Sequence, residues 1–196
     1  VEIGTDSPGD VLKFQSFLRP TISVVTAVSE EHMEFFPDLE AVAKEELSIA
    51  QYSSALLVNS DDIDESYLQT YVPRNMELHS YGFTHAEYKL KVLKDAKQTM
   101  HFSVALGGGE VVEASAKVLA EHSLKPIAGA VAVADLLGLT AEEIKAGIGD
   151  FKPVPGRMQI LSGIKNSVII DDTYNSSPLA CRAALDALYK QQAPQR

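Results

Sequence analysis

The sequence predicts an α/β fold: a mainly parallel sheet flanked by helices on both faces, with a small antiparallel subsheet. Three observations carry this. Apolar, β-branched runs at 22–28 and 55–59 alternate with helical stretches, as in a sheet built from strand–helix–strand crossovers. Residues 88–92 and 100–105 instead alternate apolar and polar, the mark of antiparallel strands. Near the end, Ile169-Ile170-Asp171-Asp172-Thr173-Tyr174-Asn175-Ser176-Ser177-Pro178 reads as an apolar strand, a polar turn and a helix start.

Each element follows in order. Residues 1–3 read as the end of a strand and 4–7 as a turn. Pro8 opens a helix through Leu18, with Val11, Leu12, Phe14 and Leu18 as its apolar set. Residues 22–28 form a buried strand, 29–38 a polar loop holding His32, 39–51 a helix, and 55–59 a second buried strand. Segments 88–92 and 100–105 pair antiparallel, with Asp95 and Ala96 near their turn; Val111 and Val112 follow a glycine run. Helices at 122–137 and 141–150 meet at Gly138-Leu139-Thr140, where Thr140 and Glu143 form a capping box. Residues 151–156 hold two prolines and a glycine, a hinge or domain boundary. Segments 158–161 and 168–170 make a hairpin-like pair around Gly163, and 178–190 is the last helix, followed by a polar tail at 191–196.

Composition excludes several functions. The chain of 196 residues is 45% hydrophobic and can build a core. Its formal charge of −10 argues against a nucleic-acid partner, which requires clustered Lys and Arg. No apolar run reaches the length of a membrane span, and there is no signal peptide. A single cysteine, Cys181, permits no intrachain disulfide and fits a reducing cytoplasm. It sits in register with Ala184, Leu185 and Leu188, which predicts a core position. The first residue is valine, and the chain reads as a piece cut from a longer protein.

Candidate chemistry gathers at predicted strand ends, where open α/β sheets place ligand groups. Glu2 is either a strand-end charge or an Mg²⁺ ligand. His32 follows Glu30 and Glu31, either as a metal ligand or as a solvated loop residue. Arg157 is placed to clamp a phosphate or to pin two domains together. Asp171 and Asp172 cap the last helix or hold a ribose or metal; as adjacent like charges, one needs a partner. Gly107-Gly108-Gly109 lacks the Lys-Ser/Thr of a nucleotide P-loop and reads as a turn.

Several motifs together resemble the ATP-dependent Mur ligases of peptidoglycan synthesis. They are Glu2-Ile3-Gly4 with Pro8-Gly9-Asp10; Val25-Thr26-Ala27-Val28 with Glu31-His32-Met33-Glu34-Phe35-Phe36; Asn59-Ser60-Asp61; Gly156-Arg157-Met158; and 171–178. The last, Asp171-Asp172-Thr173-Tyr174-Asn175, is similar to the branch that adds D-alanyl-D-alanine. The resemblance implies a P-loop-ligase-like central domain over 1–153 and the start of a Rossmann-like C-terminal domain over 154–196. It implies amide formation through an acyl phosphate, with ATP as substrate and Mg²⁺ as cofactor. The implied partners are a UDP-MurNAc-peptide and D-Ala-D-Ala. By the same resemblance Glu2 and His32 hold metal, Arg157 and Asp172 contact the nucleotide, and Tyr174 and Asn175 lie beside it. Glu46 stands where the family commonly carries a carbamylated lysine, with Lys44 two residues earlier. His122-Ser123-Leu124-Lys125-Pro126 stands at the family's His-Asn-x-x-Asn, without either amide. The family's P-loop and N-terminal domain would precede Val1, so the chain alone is expected to be inactive. Two other readings are a ligase using a different amine and a non-catalytic module that binds a nucleotide or a partner. An unrelated Rossmann-like domain is the blandest.

Overall fold

A computed structural model describes residues 1–15, 17–96 and 99–191. The elements in order are α1 (Asp10–Gln15), β1 (Ile22–Val25), α2 (Leu39–Leu47), β2 (Ala55–Asn59), α3 (Glu65–Tyr71), β3 (Glu77–Gly82), β4 (Tyr88–Ala96), β5 (Thr99–Ala105), β6 (Val111–Ala116), α4 (Lys125–Leu136), α5 (Ala141–Gly149), β7 (Gln159–Ser162), β8 (Val168–Asp171) and α6 (Pro178–Lys190).

Strands β1 to β6 form one sheet in sequence order. Pairs β1–β2, β2–β3 and β3–β4 are parallel, whereas β4–β5 and β5–β6 are antiparallel. The change of period in the sequence therefore marks the change of strand direction. Strand β2 is buried at all five positions, because both sheet faces are covered. Leu56 and Val58 face a core with Val25, Val42, Leu47 and Phe36. Leu57, between them, faces a second core with Tyr81, Phe102, Leu124, Ile127 and Val131. Alternation along one strand thus feeds two cores.

The helix signals act as read. Thr140 and Glu143 exchange the reciprocal hydrogen bonds of a capping box at α5. Asp38 caps α2 through the Ala41 N–H. Ser177, rather than Asp171 or Asp172, caps α6, accepting from the Ala180 N–H at 3.2 Å. The triple glycine is a turn between β5 and β6, closed by Leu106 N–H to Glu110 O at 2.8 Å. The β7–β8 pair is antiparallel, as expected.

Several expectations are corrected. Residues 1–3 form no strand, since among the described residues β1 pairs only with β2 and no ladder reaches the N-terminal segment. The first helix runs only over Asp10–Gln15; Gly9, at φ +91°, holds a turn ahead of it. Strand β1 stops at Val25. The last turn of the 39–51 helix tightens into a 3₁₀ segment at Ser48–Tyr52, and the start of 122–137 is likewise 3₁₀ at Glu121–Leu124. The sequence reading does not anticipate helix α3 and strand β3: the first is short, with the partly buried set Tyr67, Leu68 and Tyr71, and the second is interrupted by His79 and Ser80. Cys181 is exposed rather than buried: it lies on the first turns of α6 with its Sγ 2.9 Å from Ser176 Oγ. The tail expected at 191–196 lies, beyond Gln191, outside the described residues.

The β7–β8 hairpin and α6 form a second, smaller unit. It meets the large sheet through Leu119 and Ala120, which pack with Met158, Ile160, Ile170 and Ala187.

Candidate functional site

A cleft of about 380 Å³ lies between the two units. One wall is the loop after β1, from Glu30 to Glu34. The other is Arg157 with the α6 entrance, Asn175 to Pro178 and Ala180. The sequence reading thus identified one residue on the first wall, His32, and two on the second, Arg157 and Asn175.

His32 owes its place to an irregular loop. Its backbone is left-handed, at φ +54°, and its carbonyl accepts from the N–H groups of Phe35 and Phe36. Phe36 is buried and anchors the loop. The imidazole Nε2 stands 3.4 Å from Asp6 Oδ1. Arg157 is exposed, and its guanidinium lies 4.3 Å over the Tyr174 ring. That contact holds a flat cation at the mouth of the cleft. Tyr174 is itself tied by its N–H to Gly156 O at 3.1 Å, where Gly156 sits at φ +74°. A Cβ there would stand 3.2 Å from the Tyr174 nitrogen.

The other predicted residues fall elsewhere. Asp172 accepts from the Met158 N–H at 3.0 Å, and Asp171 accepts from the Thr173 N–H and hydroxyl. Each aspartate therefore has a partner, supplied by backbone and hydroxyl donors. Glu46 lies on α2, partly buried, and accepts from the Thr5 hydroxyl. Burial pushes its carboxyl above the ordinary value; Glu31 and Glu45 push the same way, and the Thr5 bond and His32 pull against them. Glu46 does not line the cleft. Glu2 is exposed and also lies outside the lining.

The reading missed Asp6, and it quoted Glu30, Glu31, Met33 and Glu34 with His32 but gave a role to His32 alone. The signal for the loop was available: the acidic run around His32 lies just past a buried strand. The reading named Asn59-Ser60-Asp61 as a motif but missed the polar network that this motif builds at the ends of β1, β2 and β3 with Asp62 and Lys125. There Asn59, 2% exposed, donates to Thr26 O at 3.0 Å and to Asp62 Oδ2 at 2.6 Å. Lys125 at the start of α4 reaches Asp62 Oδ1 at 2.6 Å. Among the described residues no three His, Cys, Asp or Glu converge into a metal cage. The donors present fit a different mode, in which Mg²⁺ keeps waters and phosphate oxygens and takes only one or two side chains.

The profile of the Mur ligase middle domain matches residues 1–134. The chain belongs to the Mur ligase family. It is 27% identical, over 98% of its length, to a UDP-N-acetylmuramoyl-tripeptide–D-alanyl-D-alanine ligase of Rickettsia prowazekii, covering 43% of that protein. It is 30% identical, over 87% of its length, to a UDP-N-acetylmuramate–L-alanine ligase of Syntrophobacter fumaroxidans, covering 37% of it. The family likeness extends to solved structures. MurF from Acinetobacter baumannii superposes with a TM-score of 0.84 at 20% identity, covering 96% of this chain and 42% of that one. MurF ligase from Thermotoga maritima in complex with ADP gives 0.82 at 25% identity, covering 96% and 44%. The chain thus spans less than half the length of these relatives. Among the described residues no helix is long and apolar enough to cross a membrane.

Proposed function

We propose that the chain forms the nucleotide side of an ATP-dependent carboxylate–amine ligase of peptidoglycan precursor synthesis. In this reading ATP phosphorylates the carboxylate of a UDP-MurNAc-tripeptide. The amine of D-Ala-D-Ala attacks the acyl phosphate, an amide forms, and phosphate leaves. Most of the acceleration comes from positioning and from neutralising phosphoryl charge.

The observation that carries the reading is the cleft, which sets His32 opposite Arg157 and Asn175. Arg157 is the group suited to phosphate oxygens, since its donors are fixed in a plane and its charge is permanent. Asn175 and Tyr174 flank it. By the family resemblance His32, with Glu2 outside the cleft lining, would hold Mg²⁺, which when bound would supply positive charge to the phosphates. Glu46 stands where the family commonly carries a carbamylated lysine and keeps a carboxylate there. Asp172 acts by fixing the backbone of Met158, next to Arg157. Residues 1–153 belong to the central domain and 154–196 begin the next one. The parent protein works in the cytoplasm.

The choice of D-Ala-D-Ala rests on the motif from Asp171 to Asn175 and on likeness to several D-alanyl-D-alanine ligases. A different amine is the second reading. It is favoured by the match to L-alanine ligases and by Glu46, Ser123 and Pro126, which depart from the family pattern. The test uses the natural full-length protein with Mg²⁺-ATP and UDP-MurNAc-tripeptide. Phosphate release and amide product that require D-Ala-D-Ala are the expected result. Turnover with L-alanine instead moves the protein to the second reading. Binding of ATP without turnover, unchanged in Glu2→Ala and His32→Ala, makes it a non-catalytic module.

A further inference from the structure

We infer that Lys125 and Asp62 are positioning residues that fix how the two units meet across the cleft. The inference rests on the cleft being the nucleotide site, and it concerns residues outside the cleft.

The pair closes a network that ties four chain segments together. Asn59, at the end of β2, bonds to Thr26 O beyond β1 and to Asp62 Oδ2, while its own side-chain oxygen accepts from the Asp61 N–H at 3.1 Å. Asp61 accepts from Phe83 N–H at 2.8 Å, Thr84 N–H at 3.0 Å and Thr84 Oγ1 at 2.7 Å, past the end of β3. Lys125, the first residue of α4, lies 2.6 Å from Asp62 Oδ1 and 3.9 Å from Asp61 Oδ2. Its side chain is 18% exposed, and those of Asp61 and Asp62 are 11% and 31% exposed. An ion pair so shielded is screened less than a surface pair, and removing one member leaves the other uncompensated.

The pair fixes more than its own helix. The 3₁₀ segment Glu121–Leu124 leads directly into Lys125, whose backbone N–H bonds to His122 O. Just before it, Leu119 and Ala120 are the residues of the large unit that pack on Met158, Ile160, Ile170 and Ala187. Met158 adjoins Arg157, which lines the cleft. A continuous path of packed and hydrogen-bonded groups therefore runs from Asp62 through Lys125 and residues 119–124 to Arg157. His122 lies in the middle of this path, within electrostatic reach of charged groups of both units. Asp62 and Lys125 belong to the large unit, and Asp172 and Lys190 belong to the small one. Burial and the two lysines hold its imidazole below the ordinary value, and the two aspartates pull it up.

The experiment needs no nucleotide, so it stands apart from the function proposed above. Amide hydrogen exchange is followed in the wild-type chain and in Lys125→Met, Lys125→Arg and Asp62→Asn. The expected result in Lys125→Met is at least tenfold loss of protection at 119–124 and 158–160, with β4–β6 unchanged. Lys125→Arg, which keeps the charge, retains protection. NMR titration of His122 supplies the second readout: its pKa rises in Lys125→Met and falls in Asp62→Asn. Protection that is unchanged in Lys125→Met, or that falls evenly over the chain, overturns the inference. So does a His122 shift of the same sign in both variants. Absence of ATP binding by the full-length wild type would instead count against the function alone.

Discussion

The backbone N–H of Met158 donates to Asp172 Oδ1 at 3.0 Å, joining the residue after Arg157 to the end of β8. Met158 holds a left-handed backbone, φ +49°, that a non-glycine residue adopts only when its surroundings impose it. Asp172→Ala should therefore cost about 1–3 kcal/mol by orphaning that N–H. Asp172→Asn keeps an acceptor and should lose far less. Urea unfolding of both variants checks this. If Asp172 also touches nucleotide, Asp172→Asn weakens ATP binding in the full-length protein while stability holds.

Gly129 and Gly147 make an internal control for packing. A Cβ at Gly129 would stand 3.0 Å from Tyr81 Cζ, and the ring is only 1% exposed and has no room to retreat. Gly129→Ala should destabilise by about 1–3 kcal/mol through overpacking, despite the better helix propensity of alanine. At Gly147, on α5, a Cβ meets nothing within 4 Å. Gly147→Ala should stabilise by about 0.5–1 kcal/mol. Thermal melts of opposite sign are the expected outcome.

His79 carries a pH dependence. Its ring meets Glu87 Oε2 at 2.8 Å and Glu77 Oε1 at 3.2 Å. Burial lowers its pKa, but the two carboxylate bonds outweigh burial and leave it above 6.5. A raised folded-state value means that the imidazolium stabilises the fold. That stability is fully present below 6.5 and is lost as pH rises through the higher folded-state value. Denaturation from pH 5 to 9 should show the decline, and Glu87→Gln should flatten it.

Much of this architecture was legible because apolar period reports burial directly. The five-residue run of β2, the alternation of β4 to β6 and the Thr140–Glu143 box each became what they spelled. What stayed hidden depends on contacts between distant residues. Helix α3 is only seven residues long and its apolar set, Tyr67, Leu68 and Tyr71, is only partly buried, so its period is too brief to stand out. Cys181 follows the apolar period of α6, yet α6 packs through Ala187 on the small hairpin and on Leu119 and Ala120, which leaves Leu185 and Cys181 exposed. At the site, residue types pointed to His32, Arg157 and Asn175. No local pattern could say that Asp172 would serve the Met158 backbone, or that Lys125 would find Asp62 across 63 positions.

Arg157 offers a direct test of the cleft. Its guanidinium stacks on an exposed Tyr174 ring, a contact worth about 0.5–1 kcal/mol. Arg157→Ala should leave the melting temperature nearly unchanged and weaken ATP binding by the full-length protein about tenfold or more. Arg157→Lys keeps the charge but loses the planar fork, and should recover only part of the affinity. Calorimetric titration with Mg²⁺-ATP measures both, and full affinity in Arg157→Ala would remove Arg157 from the nucleotide site.

Glu46 separates stability from function. Its carboxyl titrates above the ordinary value because α2 and the N-terminal segment bury it. A carboxyl raised in the folded state favours folding while protonated, and that contribution is lost as pH climbs through the raised value. Glu46→Gln mimics the protonated form and still accepts the Thr5 hydroxyl bond. It should melt higher than wild type at pH 7, with the difference closing towards pH 4. If the proposed ligase function holds and the negative charge serves His32, the same substitution lowers turnover in the full-length protein without raising the KM for its amine substrate. A variant that is both more stable and fully active would confine Glu46 to packing.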